Sequence, residues 1–170
     1  MKKLFTCFLI FAFHLALFSQ DGFLADYLKK WENSAAYTIE FAEAFPEELY
    51  HFQPSKEEMK FHEQLVHICG NMTWLSSAYL GGIAFERDLS NPPQAKAELI
   101  QLLKETFEYV AKTLRNFNAE QLDTEVDFFA GPMSKRQVLM LMSDHVTHHR
   151  GQLVVYLRLN DLKPPSYRGW

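Results

Sequence analysis

The sequence predicts an all-α protein, a four-helix bundle preceded by a signal peptide. Three observations predict it. Four segments repeat apolar residues at steps of three and four, the period of a helix with one buried face. The prolines all fall between those segments or, as Pro164 and Pro165 do, after the last. No strand–helix–strand alternation, glycine-rich phosphate loop, internal repeat or low-complexity tract interrupts the pattern. The chain has 170 residues, the size of one domain, and is 48% hydrophobic and 15% aromatic. That composition supplies a packed core and excludes a disordered chain.

The first segment, "MKKLFTCFLIFAFHLALFSQ", stands apart. Two lysines precede a mostly apolar run over residues 4–18, and small and polar residues follow. This is the layout of a secretory leader. The run is short for a stable membrane span, which needs about twenty residues. Residues 1–19 are therefore expected to be a signal peptide and residues 20–170 the domain, exported to a periplasmic or secreted location. An uncleaved N-terminal anchor is the alternative. Removing residues 1–19 takes away Lys2 and Lys3, leaving 15 basic and 21 acidic residues and a net charge of −6. An acidic chain without a basic stripe excludes the usual nucleic-acid binder. Cys7 goes with the leader, so Cys69 cannot form an internal disulfide. Set in "QLVHICG", it reads as a small buried hydrophobe.

The first bundle helix is expected over about residues 23–44, ended by Pro46. The second is expected to start near Ser55, because "SKEE" has the form of a capping box, Ser55 accepting from a first-turn amide and Glu58 reaching back. Its stripe is Phe61, Leu65, Ile68, Met72, Leu75 and Tyr79, and Gly81 with Gly82 ends it. The third, about 94–117, carries Leu99, Leu102, Leu103, Phe107, Val110 and Leu114. A structured connection with a break at Gly131 and Pro132 leads to the fourth, capped by Ser134 and running to about residue 160. Two prolines make "LKPPSYRGW" an extended tail, with Tyr167 and Trp170 expected to fold back on the body.

The fourth helix carries "SDHVTHHRGQ". Val138, Met142, His145, His149, Leu153 and Tyr156 share one stripe. Imidazoles at i and i+4 stack on one helical face and can share a metal ion. The structural alternative is a pair of core histidines bonded to backbone or carboxylate. His148 lies on a more polar edge, facing solvent or supporting the ligands. An open metal site needs a third protein ligand. His62 and His67 both lie beside the stripe of the second helix, and periodicity does not choose between them. His51 falls in a loop.

"LMLMSDHVTHHRGQLVVYLRLNDLKPPSYRG" resembles the last helix and tail of the DinB-like (YfiT-like) proteins, and "FHEQLVHICGNMTWL" resembles their second helix. The resemblance runs over about residues 22–168. It implies an up-down-down-up four-helix bundle with His67, His145 and His149 as the three metal ligands. The implied cofactor is one divalent transition metal, zinc or nickel, with iron or copper also suited to imidazoles. It implies metal-dependent chemistry on a small molecule, of hydrolase or thiol-transferase type, and commonly a homodimer. No nucleic-acid partner is implied. The leader sets this chain apart, because low-molecular-weight thiols are cytosolic. The alternative function is a non-catalytic metal-binding or structural bundle.

Other residues read as follows. Arg150 and Gln152 either orient ligands and substrate or lie on the surface. Asp144 pairs with His148 or stands alone. Asn71, one turn after His67, can line the same cavity. Trp74 reads as core rather than as a substrate platform, and Glu63 as part of a solvated face rather than a base. No serine sits in an elbow motif that would support a hydrolytic triad.

Overall fold

The computed structural model describes residues 22–169; the expected leader over residues 1–19 lies outside them, as does Trp170. Four long helices form the body: α1 (Lys2–Ala44, of which residues 22–44 are described), α2 (Phe61–Tyr79), α3 (Lys96–Arg115) and α4 (Lys135–Leu159). Among the described residues no helix is long and apolar enough to cross a membrane.

Side-chain pairings fix the direction of each helix. Trp31 donates its indole N–H to the Phe107 carbonyl (3.2 Å), and Lys96 at the start of α3 reaches the Phe45 carbonyl beyond the end of α1 (2.7 Å), so α1 and α3 are antiparallel. Tyr27 donates to the Leu139 carbonyl (2.7 Å) and Arg150 to Ser34 Oγ (2.7 Å), so α1 and α4 run together. Gln64 bonds Gln152 and Tyr156 while His67 meets His145, so α2 opposes α4. The order is up, down, down, up. The apolar stripes meet in one core that includes Trp31, Phe41, Phe61, Leu65, Met72, Leu102 and Val138, each at most 2% exposed.

The helix ends differ from the expected ones where tertiary contacts overrule local signals. Ser55 and Glu58 form a turn (Glu58 N–H to Ser55 carbonyl, 3.3 Å), not the start of α2. The chain from Tyr50 to His62 is instead a closed loop, held by Phe61 N–H on Phe52 O and His62 N–H on Tyr50 O, both 3.0 Å. Its rings gather on Phe45, with Phe61 stacked at 3.9 Å. Burying these aromatics stabilises more than one cap contributes. The real first-turn acceptor of α2 is Glu63, whose carboxylate takes the Lys60 N–H at 2.8 Å. Glu63 is thus occupied in capping, in keeping with its reading as no base.

Apart from the start of α1, which lies outside the described residues, the other boundaries hold within a turn. α2 closes at Gly81, whose φ of +76° suits a residue without Cβ, and Gly82 N–H returns to the Ser76 carbonyl at 3.0 Å. α3 is shorter than expected at both ends. At the head of α4, Ser134 Oγ accepts from Gln137 N–H (3.2 Å) and Gln137 Oε1 accepts from Ser134 N–H (2.7 Å), a reciprocal box.

One element was not expected. A two-residue antiparallel ribbon pairs β1 (Glu125–Val126) with β2 (Met133–Ser134), in the register Glu125 with Ser134 and Val126 with Met133. Strands this short carry no periodicity to read. The extended tail turns back as expected at Tyr167, edge-on to Tyr37 at 6.2 Å, and Arg168 pairs with Glu40.

Candidate metal centre

The antiparallel pair α2 and α4 brings His67, His145 and His149 together. One ring nitrogen from each lies within 4.8 Å of the others. His67 Nε2 and His145 Nε2 are 3.0 Å apart. Ring centroids are 4.8 Å apart for His67 and His145, 4.5 Å for His67 and His149, and 4.4 Å for His145 and His149. His149 is buried, His145 half-buried and His67 exposed, so the group opens to solvent on the α2 side.

The electrostatics favour neutral rings. Burial lowers the pKa of all three, since desolvation penalises the charged form. For His145 the neighbouring imidazoles add to burial and take it down to about 4, and His149 likewise falls to about 4. Neutral imidazoles offer lone pairs rather than protons. The tautomer of His149 is assigned from its partner: Nδ1–H donates to Gln64 Oε1 at 2.6 Å, which leaves Nε2 as the nitrogen with the lone pair. Gln64 is itself fixed, its amide N–H donating to Gln152 Oε1 and to Tyr156 Oη. Tyr156 in turn donates to the Met59 carbonyl. The Gln152 amide donates to His148 Nε2 at 3.0 Å.

These residues fit a divalent transition ion. The donor set is three neutral imidazoles, one locked in the ligating tautomer, and two of the nitrogens already have the spacing of ligands sharing an ion at about 2.1 Å each. His145 Nδ1 is buried without a hydrogen-bond partner, so the pairing of His145 with His67 does not by itself satisfy the ring.

The remaining candidates divide. Gln152 and His148 belong to the supporting network, His148 exposed as expected. Asn71 lies beyond His67 on the same face, its Oδ1 buried and unpartnered. His62 lies outside the group of three; its Nδ1 is 2.9 Å from the Tyr50 carbonyl, a bond that serves the loop. Two candidates turn away. Arg150 is one residue past His149, about 100° around the helix. Its guanidinium meets Ser34 Oγ and lies 4.9 Å over the Tyr37 ring on the α1 side. Asp144 is one residue before His145, about 100° around the helix in the opposite sense, and borders a surface hollow with Tyr27 and Met140 that His148 does not line. Trp74 is not core: it is 42% exposed. The sequence reading missed Gln64 and the hydroxyl role of Tyr156. The signal for Gln64 was an amide placed among Phe61, Leu65 and Ile68, where a buried polar group needs a partner.

An up-down-down-up helical bundle with three imidazoles converging from its second and fourth helices defines the class. The chain belongs to the DinB family, whose model matches residues 19–169. It is 31% identical over 129 residues to the uncharacterized protein YjoA of Bacillus subtilis (strain 168), covering 71% of this chain and 80% of that one. Among solved structures it resembles a DinB-like protein from Bacillus cereus ATCC 10987, with a TM-score of 0.73 at 20% identity over 84% of this chain and 95% of the other. The crystal structure of the DinB-like YjoA from Bacillus subtilis matches with a TM-score of 0.70 at 25% identity, over 84% of this chain and 96% of that one.

Proposed function

We propose that this protein binds one divalent transition metal through His67, His145 and His149 and uses it for chemistry on a small molecule. The observation that carries the reading is the convergence of three neutral imidazoles, with His149 Nε2 freed by the bond from its Nδ1–H to Gln64. Zinc or nickel suits this donor set, and iron or copper would also bind. When bound, such an ion polarises a carbonyl or activates water or a thiol at the position the protein leaves open. The chain's own part is to hold the rings. Gln64, Gln152 and Tyr156 fix His149, and exposed His67 leaves an approach from solvent. Hydrolysis fits an exported protein better than thiol transfer, because the leader read in residues 1–19 would remove the chain from cytosolic thiols. Export, and assembly as a homodimer, are part of this proposal.

A second reading is a non-catalytic bundle whose histidines merely pair. One observation favours it: 3.0 Å between His67 Nε2 and His145 Nε2 is also an N–H···N hydrogen-bond length. Elemental mass spectrometry of the untagged chain separates the two. The metal reading expects about one equivalent of a single transition metal, lost in His145→Ala and His149→Ala and retained in His148→Ala. A protein that arrives metal-free and takes up neither zinc nor nickel on titration returns the triad to a hydrogen-bonded patch.

A further inference from the structure

On α2, Gln64, His67, Asn71 and Trp74 follow at steps of three and four and so occupy one sector of the helix. Trp74 lies about 10 Å along the axis from His67, and helical side chains lean back toward the N-terminus, which brings its ring toward the triad. Two features of this stretch are unexplained by packing. Asn71 Oδ1 is buried with no hydrogen-bond partner, a state that costs free energy unless a donor arrives. Trp74 and Phe129 are 42% and 84% exposed, although both are rings that normally bury.

The exposed rings are gathered and built. Phe128 and Phe129 sit at the tip of the ribbon, which closes where Gly131 N–H meets the Phe128 carbonyl at 2.8 Å and Gly131 takes a φ of +113°. Ring centroids lie 5.8 Å apart for Trp74 and Phe128, 6.3 Å for Trp74 and Phe129, and 4.6 Å for the two phenylalanines. Tyr79 backs the group, 5.8 Å from Trp74 and 5.4 Å from Phe128. The result is an aromatic shelf, buried behind and open in front, one helical turn beyond an unpartnered acceptor and two turns beyond the triad.

We propose that the α2 face from the triad to this shelf is a ligand groove. It takes a small amphipathic molecule with a metal-binding polar head and an aromatic body that lies against Trp74 and Phe129. The proposal rests on the metal reading of the triad and adds the class of molecule. A second protein copy is a poorer occupant. Two partly exposed rings offer at most about 300 Å², well below the about 800 Å² per partner of a stable interface.

The test uses the purified full chain loaded with cobalt(II), whose visible spectrum reports coordination, titrated with 1-methylimidazole and with 1-benzylimidazole. The benzyl compound is expected to bind about tenfold tighter, through contacts the methyl compound lacks. Trp74→Ala and Phe129→Ala should bring the ratio toward one and leave the affinity for 1-methylimidazole unchanged. Phe129 is mostly exposed, so its variant does not threaten folding. Equal affinities in the unmodified protein, or a preference that survives both variants, would overturn the groove alone. A protein that gives no cobalt spectrum would overturn the metal reading and the groove with it. Sedimentation showing a dimer that Phe129→Asp splits would reassign the shelf to an interface.

Discussion

At His149, the Nδ1–H donated to Gln64 leaves Nε2 to face His67 and His145. Gln64→Leu keeps the helix and the apolar volume but removes the acceptor. It should weaken metal binding by about 10- to 100-fold, the usual cost of losing such a partner, as read by competition with a chromogenic chelator. Protonation gives a second prediction. The folded pKa values of His145 and His149 are held near 4, below the ordinary 6.5. Between those values the unfolded chain binds more protons than the folded one, so stability is fully present above about 6.5 and is lost as pH falls toward 4. The urea midpoint of the metal-free protein should drop across that window, and replacing both residues by Ala should flatten the drop. Cys69, fully buried with its thiol pushed up to about 12, should resist iodoacetamide until the protein is denatured. At this scale the HxxxH pair was legible, because two residues on one helix are placed by the helix alone. The third imidazole was not placed by periodicity, because His62 and His67 flank the same stripe; the family resemblance pointed to His67, and in the fold His67 meets His145 and His149 while His62 turns to the Tyr50 carbonyl.

Among the elements, α4 matters most to the centre, since it carries two of the three imidazoles. Its start is set by the reciprocal bonds of Ser134 and Gln137. Ser134→Ala should cost about 1 kcal/mol of unfolding free energy, measured by urea denaturation, and should leave metal affinity unchanged because the histidines lie turns away. The same local grammar succeeded at Ser134 and failed at Ser55. At Ser134 the apolar stripe resumes at once with Val138 and Met142, so local and long-range preferences agree. After Ser55 the next buried ring is Phe61, and the stack of Phe61 on Phe45 holds the intervening residues in a loop. That pairing links α1 to α2 across the sequence and has no local signature. The β1–β2 ribbon is the same case at smaller size. Its purpose is visible only in space, where it holds Phe128 and Phe129 beside Trp74.

In the whole molecule, the helix count and stripes were readable from the period of the sequence, whereas the directions of the helices came only with the family resemblance and are seen here in pairs such as Trp31 with Phe107 and Gln64 with Gln152. Those directions decide what a bound ion does to stability. His67 lies on α2, while His145 and His149 lie on α4. An ion held by all three therefore joins two helices far apart in sequence, and unfolding must release it. A ligand that binds only the folded state stabilises it by about 2.7 kcal/mol at a free concentration 100 times its dissociation constant. For a chain of this size each kcal/mol raises the melting temperature by about 2–4 °C. Zinc or nickel at that excess should thus raise the melting temperature of the metal-free protein by about 5–10 °C, growing with the logarithm of metal concentration. His145→Ala should remove the increase and His148→Ala should keep it. An increase that persists in His145→Ala would mean that the ion binds elsewhere. No increase at all, alongside measured binding, would mean that the ion is held equally by the unfolded chain and does not brace α2 against α4.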